Sequence, residues 1–289
     1  MVEYCNLYYF LYIAFAIGLL AAFYLLLHGK SKETSRIVLF CMLLSGFILH
    51  FLKLTFDFYQ EWMPYAITSI TPENICAVSV LVFPWFFLSK NKILKDYMFY
   101  MGMMSGLGAT FIPIDAIGYE AFDSETMRFY FCHILLWVVP LLMVMLKLHT
   151  LDYRRIIKVP LLVYLVMCTI LVNEIILTGA GFVHISHLYS NEIRNSSLIF
   201  GPLAEIEFLG KLFTALTPKF FLTAPVGVNA GAVYYWPIVW LINPSYIYFC
   251  AAAFLLSLPF QFKRIKTDIS ALKRKITCFA PIDKIRKKT

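Results

Sequence analysis

Charge is scarce in this chain. Only 15% of its 289 residues are Asp, Glu, Lys or Arg, where soluble domains carry about a quarter. Cysteine is present without a pattern. Residues 5, 41, 76, 132, 168, 250 and 278 are scattered, with no Cys-x-x-Cys pair, which argues against a disulfide scaffold or a zinc site. No internal repeat is visible, so the signature from which many transporter folds are built is missing. The N-terminus also lacks the basic stretch that opens a signal peptide, so the apolar run Cys5–Leu27 is expected to be a retained first helix. What the chain has in quantity is apolar surface: 61% hydrophobic residues and a mean hydropathy of +0.74. These values predict an all-α, polytopic membrane bundle.

Runs long enough to cross a bilayer core of about 30 Å can be placed along the chain. They are roughly Cys5–Leu27, Ile37–Phe56, Ile75–Leu88, Tyr97–Ile114, Phe129–Leu146, Ile156–Thr178 and Tyr246–Phe260, giving about seven transmembrane helices. The third is short and contains Pro84. Between 179 and 245 the pattern is mixed. Leu212–Ala224 and Ala232–Ile242, interrupted by Pro218, Pro225 and Pro237, are expected to be interfacial or re-entrant pieces.

Loop charge predicts orientation. The 29–36, 90–96 and 147–158 loops hold ten Lys or Arg. The alternate loops hold one, Arg128, against eight acidic residues. The positive-inside rule then puts the first set in the cytoplasm and the N-terminus outside. Residues 263–289 carry ten Lys or Arg and two Asp, equal in net charge to the whole chain at +8. The expected organisation is a bundle over 1–262 and a basic cytoplasmic tail over 263–289. The tail suits a topology anchor and anionic inner-leaflet lipid, so nucleic acid is not an expected partner. The expected location is the cell membrane, as a multi-pass protein.

Titratable groups inside a membrane are expensive and usually face a bundle interior or a wet cavity. The candidates here fall in one layer near the expected outer surface, and the inner half has almost none. Taking Thr71 as N-cap and Pro72 as the first helical residue of the third span, Cys76 lies ~7 Å below the cap at about 1.5 Å per residue. His133 lies at similar depth in the fifth span, Asn173 and Glu174 near the end of the sixth, and His50 and Lys53 in the second. Asp115 follows the fourth. Glu174 needs a partner, for which Lys53 and His50 are the candidates. A thiol, an imidazole to take its proton, and an amide or carboxylate to orient the imidazole are the parts of a nucleophilic site. These residue types alone accommodate a membrane acyl-chain enzyme, a proton-linked transporter or a packed scaffold.

The segment from Pro72 to Met143 resembles the YwaF-like integral membrane family and its eukaryotic relative, transmembrane protein 164. The matching elements are Pro72-x-x-x-Cys76 opening a helix, Gly102-x-x-x-Gly106-x-Gly108 leading to Phe111-Ile-Pro113, and the run from Arg128 through His133 to Pro140. Tyr234-Tyr235-Trp236-Pro237 resembles a further element near the last helix. The eukaryotic motif reads Asn-Pro-Cys-His where this chain has Asn74-Ile75-Cys76-Ala77, and Thr178-Gly-Ala-Gly181 stands where bacterial members carry Thr-Asn-Tyr.

The resemblance implies a cysteine-dependent acyltransferase that remodels phospholipid acyl chains. Cys76 would be its nucleophile and His133 its base, with phospholipid and lysophospholipid as substrates and no cofactor or metal. Asn173, Glu174, His50 and Asp115 remain supporting polar residues. The alternative is a proton-linked transporter or a small-molecule sensor without catalysis, in which Glu174, His50, Lys53 and Asp115 form the site and Cys76 is packing. Two further features stand apart. The sequon Asn195-Ser-Ser197 falls in an expected outer loop, and His184 and His187 are spaced to share a metal but supply only two ligands.

Overall fold

A computed structural model of the chain describes residues 1–188, 190, 194, 195, 197–202, 207–218 and 237–279. Among these the regular secondary structure is helical throughout. The principal helices are α1 (Leu7–Leu27), α2 (Lys32–Leu52), α3 (Ile75–Leu88), α4 (Lys92–Met101), α5 (Ser124–Met145), α6 (Pro160–Gly179), α7 (Glu207–Leu216) and α8 (Phe249–Phe279). α4 runs on through a π turn, Gly102–Leu107, into a last turn, Gly108–Phe111. α8 is preceded by Pro237–Trp240 and a second π turn, Asn243–Tyr248.

Among the described residues five helices are long and apolar enough to cross a membrane: Leu7–Leu27, Lys32–Thr55, Ser124–Met145, Pro160–Gly179 and Ile238–Arg274. α3 is apolar but shorter, with the bounds its composition suggests. Residues 219–236 lie outside the described residues. They form the centre of the expected re-entrant stretch and include the Tyr234-Tyr235-Trp236 element. The boundary expected at 262/263 falls inside α8, which continues unbroken to Phe279.

α1 is apolar on all sides, yet only Ala16 and Leu27 are buried along it. A helix of that kind is stable where its surroundings are themselves apolar. α5 is the opposite case. From Ile134 to Pro140 every residue is buried, and α1, α2, α3 and α4 all pack on it. The tightest contact is with the π turn of α4. A Cβ on Gly102 would stand 2.1 Å from the Leu136 carbonyl oxygen, and one on Gly106 would stand 2.8 Å from the His133 carbonyl oxygen. Small residues permit this approach between membrane helices. Trp137 Nε1 donates to Thr110 Oγ1 at 3.2 Å, closing the same seam with one buried side-chain hydrogen bond.

The two sets of loops gather at opposite ends of the bundle. At one, the N-terminus is stitched to the turn before α5 by Val2 N–H to Tyr119 O (2.8 Å) and Gly118 N–H to Val2 O (2.9 Å). At the other, α8 is held by Gln261 to the Leu151 carbonyl and by Arg264 to Asp152. Because the Leu136 carbonyl belongs to the α5 backbone and cannot swing away, Gly102→Ala should destabilise the protein by roughly 1–3 kcal/mol, the usual range for overpacking. Gly108→Ala, where a Cβ meets open space, should be neutral or slightly stabilising. Thermal unfolding of both variants in the same detergent checks the contrast.

Candidate active site

The expected layer of polar groups exists at the end where α2 and α6 finish and α3 and α5 begin, but its internal pairing differs from the expectation. Glu174 is buried, and its partner is neither Lys53 nor His50. Arg194 grips it in a bidentate pair, Nε to Oε2 and Nη2 to Oε1, both at 2.8 Å, and reaches Glu73 at 3.4 Å. Lys53 donates to the Ser69 carbonyl at 2.6 Å, and His50 Nε2 donates to the Ile70 carbonyl at 3.0 Å. Both are committed to the loop before α3, which leaves Glu174 to a cation from the next loop.

Asn173 donates to Thr71 Oγ1 at 2.9 Å. It therefore braces the loop leading into α3 and makes no bond to His133. Asp115 sits in an exposed one-turn helix, Ile114–Ala116, just after α4. Arg128 pairs with Glu125 and also contacts the Tyr59 hydroxyl, which donates to Glu125 Oε1 at 2.8 Å. Burial pushes Glu73 above the ordinary carboxylate range; Lys53 and Arg194 oppose the shift, and nearby Glu174 and Asp115 reinforce it.

The start of α3 is corrected as well. Asn74, not Thr71, is the N-cap: its backbone is extended and its Oδ1 accepts the Ala77 N–H at 2.8 Å. Asn caps at least as well as Thr, and here it stands nearer the apolar run. Thr71 and Pro72 belong to the preceding bend. Cys76 is thus the second residue of the helix and not five residues inside it. It lies in the first turn, where the positive end of the helix dipole acts. The thiol is half-buried, packs on the core, and has the Ser105 side chain near it. Ser105 donates its own proton to the Met101 carbonyl at 2.8 Å, so its lone pairs are what it offers the thiol.

His133 is half-buried one seam away. Its Nδ1 lies 2.7 Å from the Phe129 carbonyl, and because a carbonyl only accepts, Nδ1 carries the proton. Nε2 of the neutral ring is then the atom with a free lone pair. Among the described residues no hydrogen bond joins Cys76 to His133. They are related through the π turn of α4: Ser105 meets the thiol, and the next residue, Gly106, packs on the His133 carbonyl.

Three features escaped the sequence reading. Ser79 lies about one turn below Cys76 on α3, and Tyr97 packs its ring on Phe83 and Phe86 farther along the same helix; both Ser79 and Tyr97 are fully buried. Ser79 was accessible in principle, since it lies three residues after Cys76 on the same helical face. Ser197 supplies a second cap, its Oγ accepting the Ile75 N–H at 2.8 Å. The third is a buried cluster at the opposite end, which corrects the expectation of a nearly uncharged inner half. Asp96, wholly buried, accepts from His149 at 2.7 Å and from both Nε and Nη2 of Arg155, at 2.6 and 2.9 Å. Hydrogen bonding to Asp96 raises Arg155 above its usual range. Asp96 and Arg155 had been counted only as loop charges.

The sequon asparagine is also accounted for. Asn195 is buried, accepting from Phe200 N–H and donating to the Gly201 carbonyl. His184 bonds Ser186 within its own turn, and among the described residues no third metal-ligating side chain joins it and His187.

The family model described as the TMEM164 family matches residues 4–224. No curated protein and no solved structure matches the chain. The Arg194–Glu174 pair yields a direct test. Breaking a buried pair by removing one partner costs about 3–5 kcal/mol, and Arg194 is partly exposed, so Glu174→Ala should fall at the lower end. Limited proteolysis should also cut faster near Arg194 than in the parent protein.

Proposed function

The chain belongs to the TMEM164 family, and from that premise we propose that it is a multi-pass membrane acyltransferase. In this reading Cys76 carries a fatty acyl chain between phospholipids as a thioester, and His133 carries the proton. The observation that supports it most is the setting of Cys76: the first turn of a helix capped by both Asn74 and Ser197, with the thiol half-buried against the core.

The chemistry has two halves. His133 Nε2 takes the proton of the Cys76 thiol, and the thiolate attacks the ester carbonyl of a donor phospholipid. The C–S bond forms, the ester C–O bond breaks, and the departing lysolipid oxygen leaves with the proton held by His133. In the second half a lysophospholipid hydroxyl gives its proton to His133 and attacks the thioester. Its C–O bond forms as the C–S bond breaks, and the proton returns to sulfur. The pair would close on the reacting lipid, since catalytic hydrogen bonds often tighten only with substrate in place. A thiol in the first turn of a spanning helix would also lie near the bilayer boundary, where phospholipid ester groups are found, and not at the hydrocarbon midplane.

The reading keeps the orientation expected from loop charge, with Cys76 near the outer leaflet. The basic residues of 263–289 then face anionic inner-leaflet lipid. The transporter alternative needs Glu174 free to exchange a proton, and its bidentate pairing with Arg194 argues against that. Reconstituted protein given a fluorescent-acyl phospholipid and an unlabelled lysophospholipid provides the test. Cys76→Ser and His133→Ala should each lower acyl transfer by at least ~10²-fold, the low end for losing a general base, while both accumulate in the membrane normally. Parental transfer in either variant would overturn the assignment.

A further inference from the structure

Cys76 is the second residue of α3, so whatever fixes the first turn of that helix also fixes the thiol. Asn74 caps the turn locally, its Oδ1 accepting the Ala77 N–H at 2.8 Å. The N–H of Ile75, next to Cys76, is among the donors that a helix start leaves without a carbonyl. Its acceptor comes from 122 positions away in the chain: the buried Ser197, whose Oγ meets it at 2.8 Å. The segment carrying Ser197 also reaches the other side of the cap. Arg194, held by both oxygens of Glu174, touches Glu73 at 3.4 Å. Residues 73 and 75 are thus gripped on either side of Asn74 by one strap.

That strap is itself firmly seated. Asn195, Ile199 and Phe200 are each only 1% exposed, so it is embedded in the core and does not merely lie over it. Asn195 closes its turn, accepting the Phe200 N–H at 2.8 Å and donating to the Gly201 carbonyl at 3.1 Å. Trp240 Nε1 donates to the Leu198 carbonyl at 2.6 Å. Arg194 and Leu198 both have left-handed backbones, with φ of +55° and +60°. Residues other than glycine seldom adopt that region, and they persist there where the surroundings over-determine them, often at functional sites. Ser197 lies between these two strained positions, and the burial and hydrogen bonds just named offset the strain.

We infer that Ser197 is a positioning residue for the Cys76 nucleophile, with Arg194 anchoring the strap that presents it. This rests on the reading of Cys76 as the acyl carrier. Without the Ser197 hydroxyl the Ile75 N–H loses its acceptor, and a buried donor left in that state favours any movement that exposes it to water. The first turn of α3 then loosens, and the sulfur shifts relative to His133 on α5. Ser197 acts through the backbone of α3, so its loss falls on the chemical step and leaves lipid binding as it was.

Ser197→Ala and Ser197→Thr, in the full chain reconstituted in phosphatidylcholine liposomes, test the inference, with Cys76→Ser as the control. The readouts are kcat and KM for transfer of a fluorescent acyl chain to a lysophospholipid, and hydrogen exchange of the peptide spanning residues 73–79. Ser197→Ala should exchange faster in that peptide and lower kcat by about 10- to 10²-fold, with KM within about twofold, since displacing a reacting group by ~1 Å can cost about 10²-fold. Ser197→Thr keeps the hydroxyl and should recover most of the lost kcat. Arg194→Lys, which keeps the charge but loses the fork, should show the same split in smaller measure, so the outcome does not hang on one variant. A serine that served stability alone would lower the unfolding temperature and leave kcat of the folded protein unchanged. Parental kcat in folded Ser197→Ala therefore overturns the inference and leaves the acyl-carrier reading standing. A rise in KM at unchanged kcat also overturns it, since Ser197 would then act on the lipid. If Cys76→Ser transfers acyl chains at the parental rate, the acyl-carrier reading fails, and the inference with it.

Discussion

The arrangement of this bundle depends on one close approach. Where the π turn of α4 meets α5, the Leu136 carbonyl oxygen lies 2.1 Å from the point a Gly102 Cβ would occupy, so the two backbones touch with no side chain between them. That contact, repeated one turn on at Gly106, sets the rotation of α4 about its own axis. Rotation decides which residues of α4 face α3. Tyr97 turns its ring toward Phe83 and Phe86 of α3, while Gly106 turns toward His133. A π turn inserts an extra residue into the helical spiral and is frequent at functional sites; here it lets one helix serve two neighbours at once.

Around that seam the bundle follows the rule that polar groups in hydrocarbon must find their partners within the protein. At each end a buried carboxylate is met by the forked guanidinium of an arginine from a loop: Glu174 by Arg194, Asp96 by Arg155. Bidentate pairing of this type fixes direction as well as distance, so each arginine ties its loop to a helix end. The loop carrying Arg194 also brings Ser197 to the Ile75 N–H and, through the Leu198 carbonyl, accepts from Trp240 at 2.6 Å. The cap of α3, the end of α6 and the approach to α8 are thereby linked through a few residues of one strap.

How much of this was legible in the sequence depends on whether the signal was local. The spans were, because apolar length is a local property; Ile75–Leu88 was located to the residue, and the glycines of α4 announced a close packing partner. The helix start was local too but ambiguous, with Thr71 and Asn74 both able to cap. Partner identity was not local. Nothing near Glu174 in the chain points to Arg194, twenty positions away across a loop, whereas Lys53 and His50 looked suitable because both lie in a span at similar depth. Their acceptors turned out to be backbone carbonyls at Ser69 and Ile70, which residue types do not advertise. Asp96 is a similar case: a carboxylate one turn into a helix that follows a basic loop looks like a solvated charge until Arg155 and His149 close over it.

The two ends of the bundle also differ in what their buried polar groups can do. Around Asp96 the requirements are largely met, with both carboxylate oxygens accepting from Arg155, one of them also from His149, and Arg155 anchored in turn to the Thr150 carbonyl. A cluster so closed stabilises an architecture and has little left to offer a ligand. Around Cys76 the balance is less closed: the thiol makes no side-chain hydrogen bond to another described residue's carboxylate or guanidinium, and the first-turn N–H of Cys76 has no acceptor among the described residues. A thiol in the first turn of a helix whose start is capped by both Asn74 and Ser197 is the physical reason to look for chemistry there.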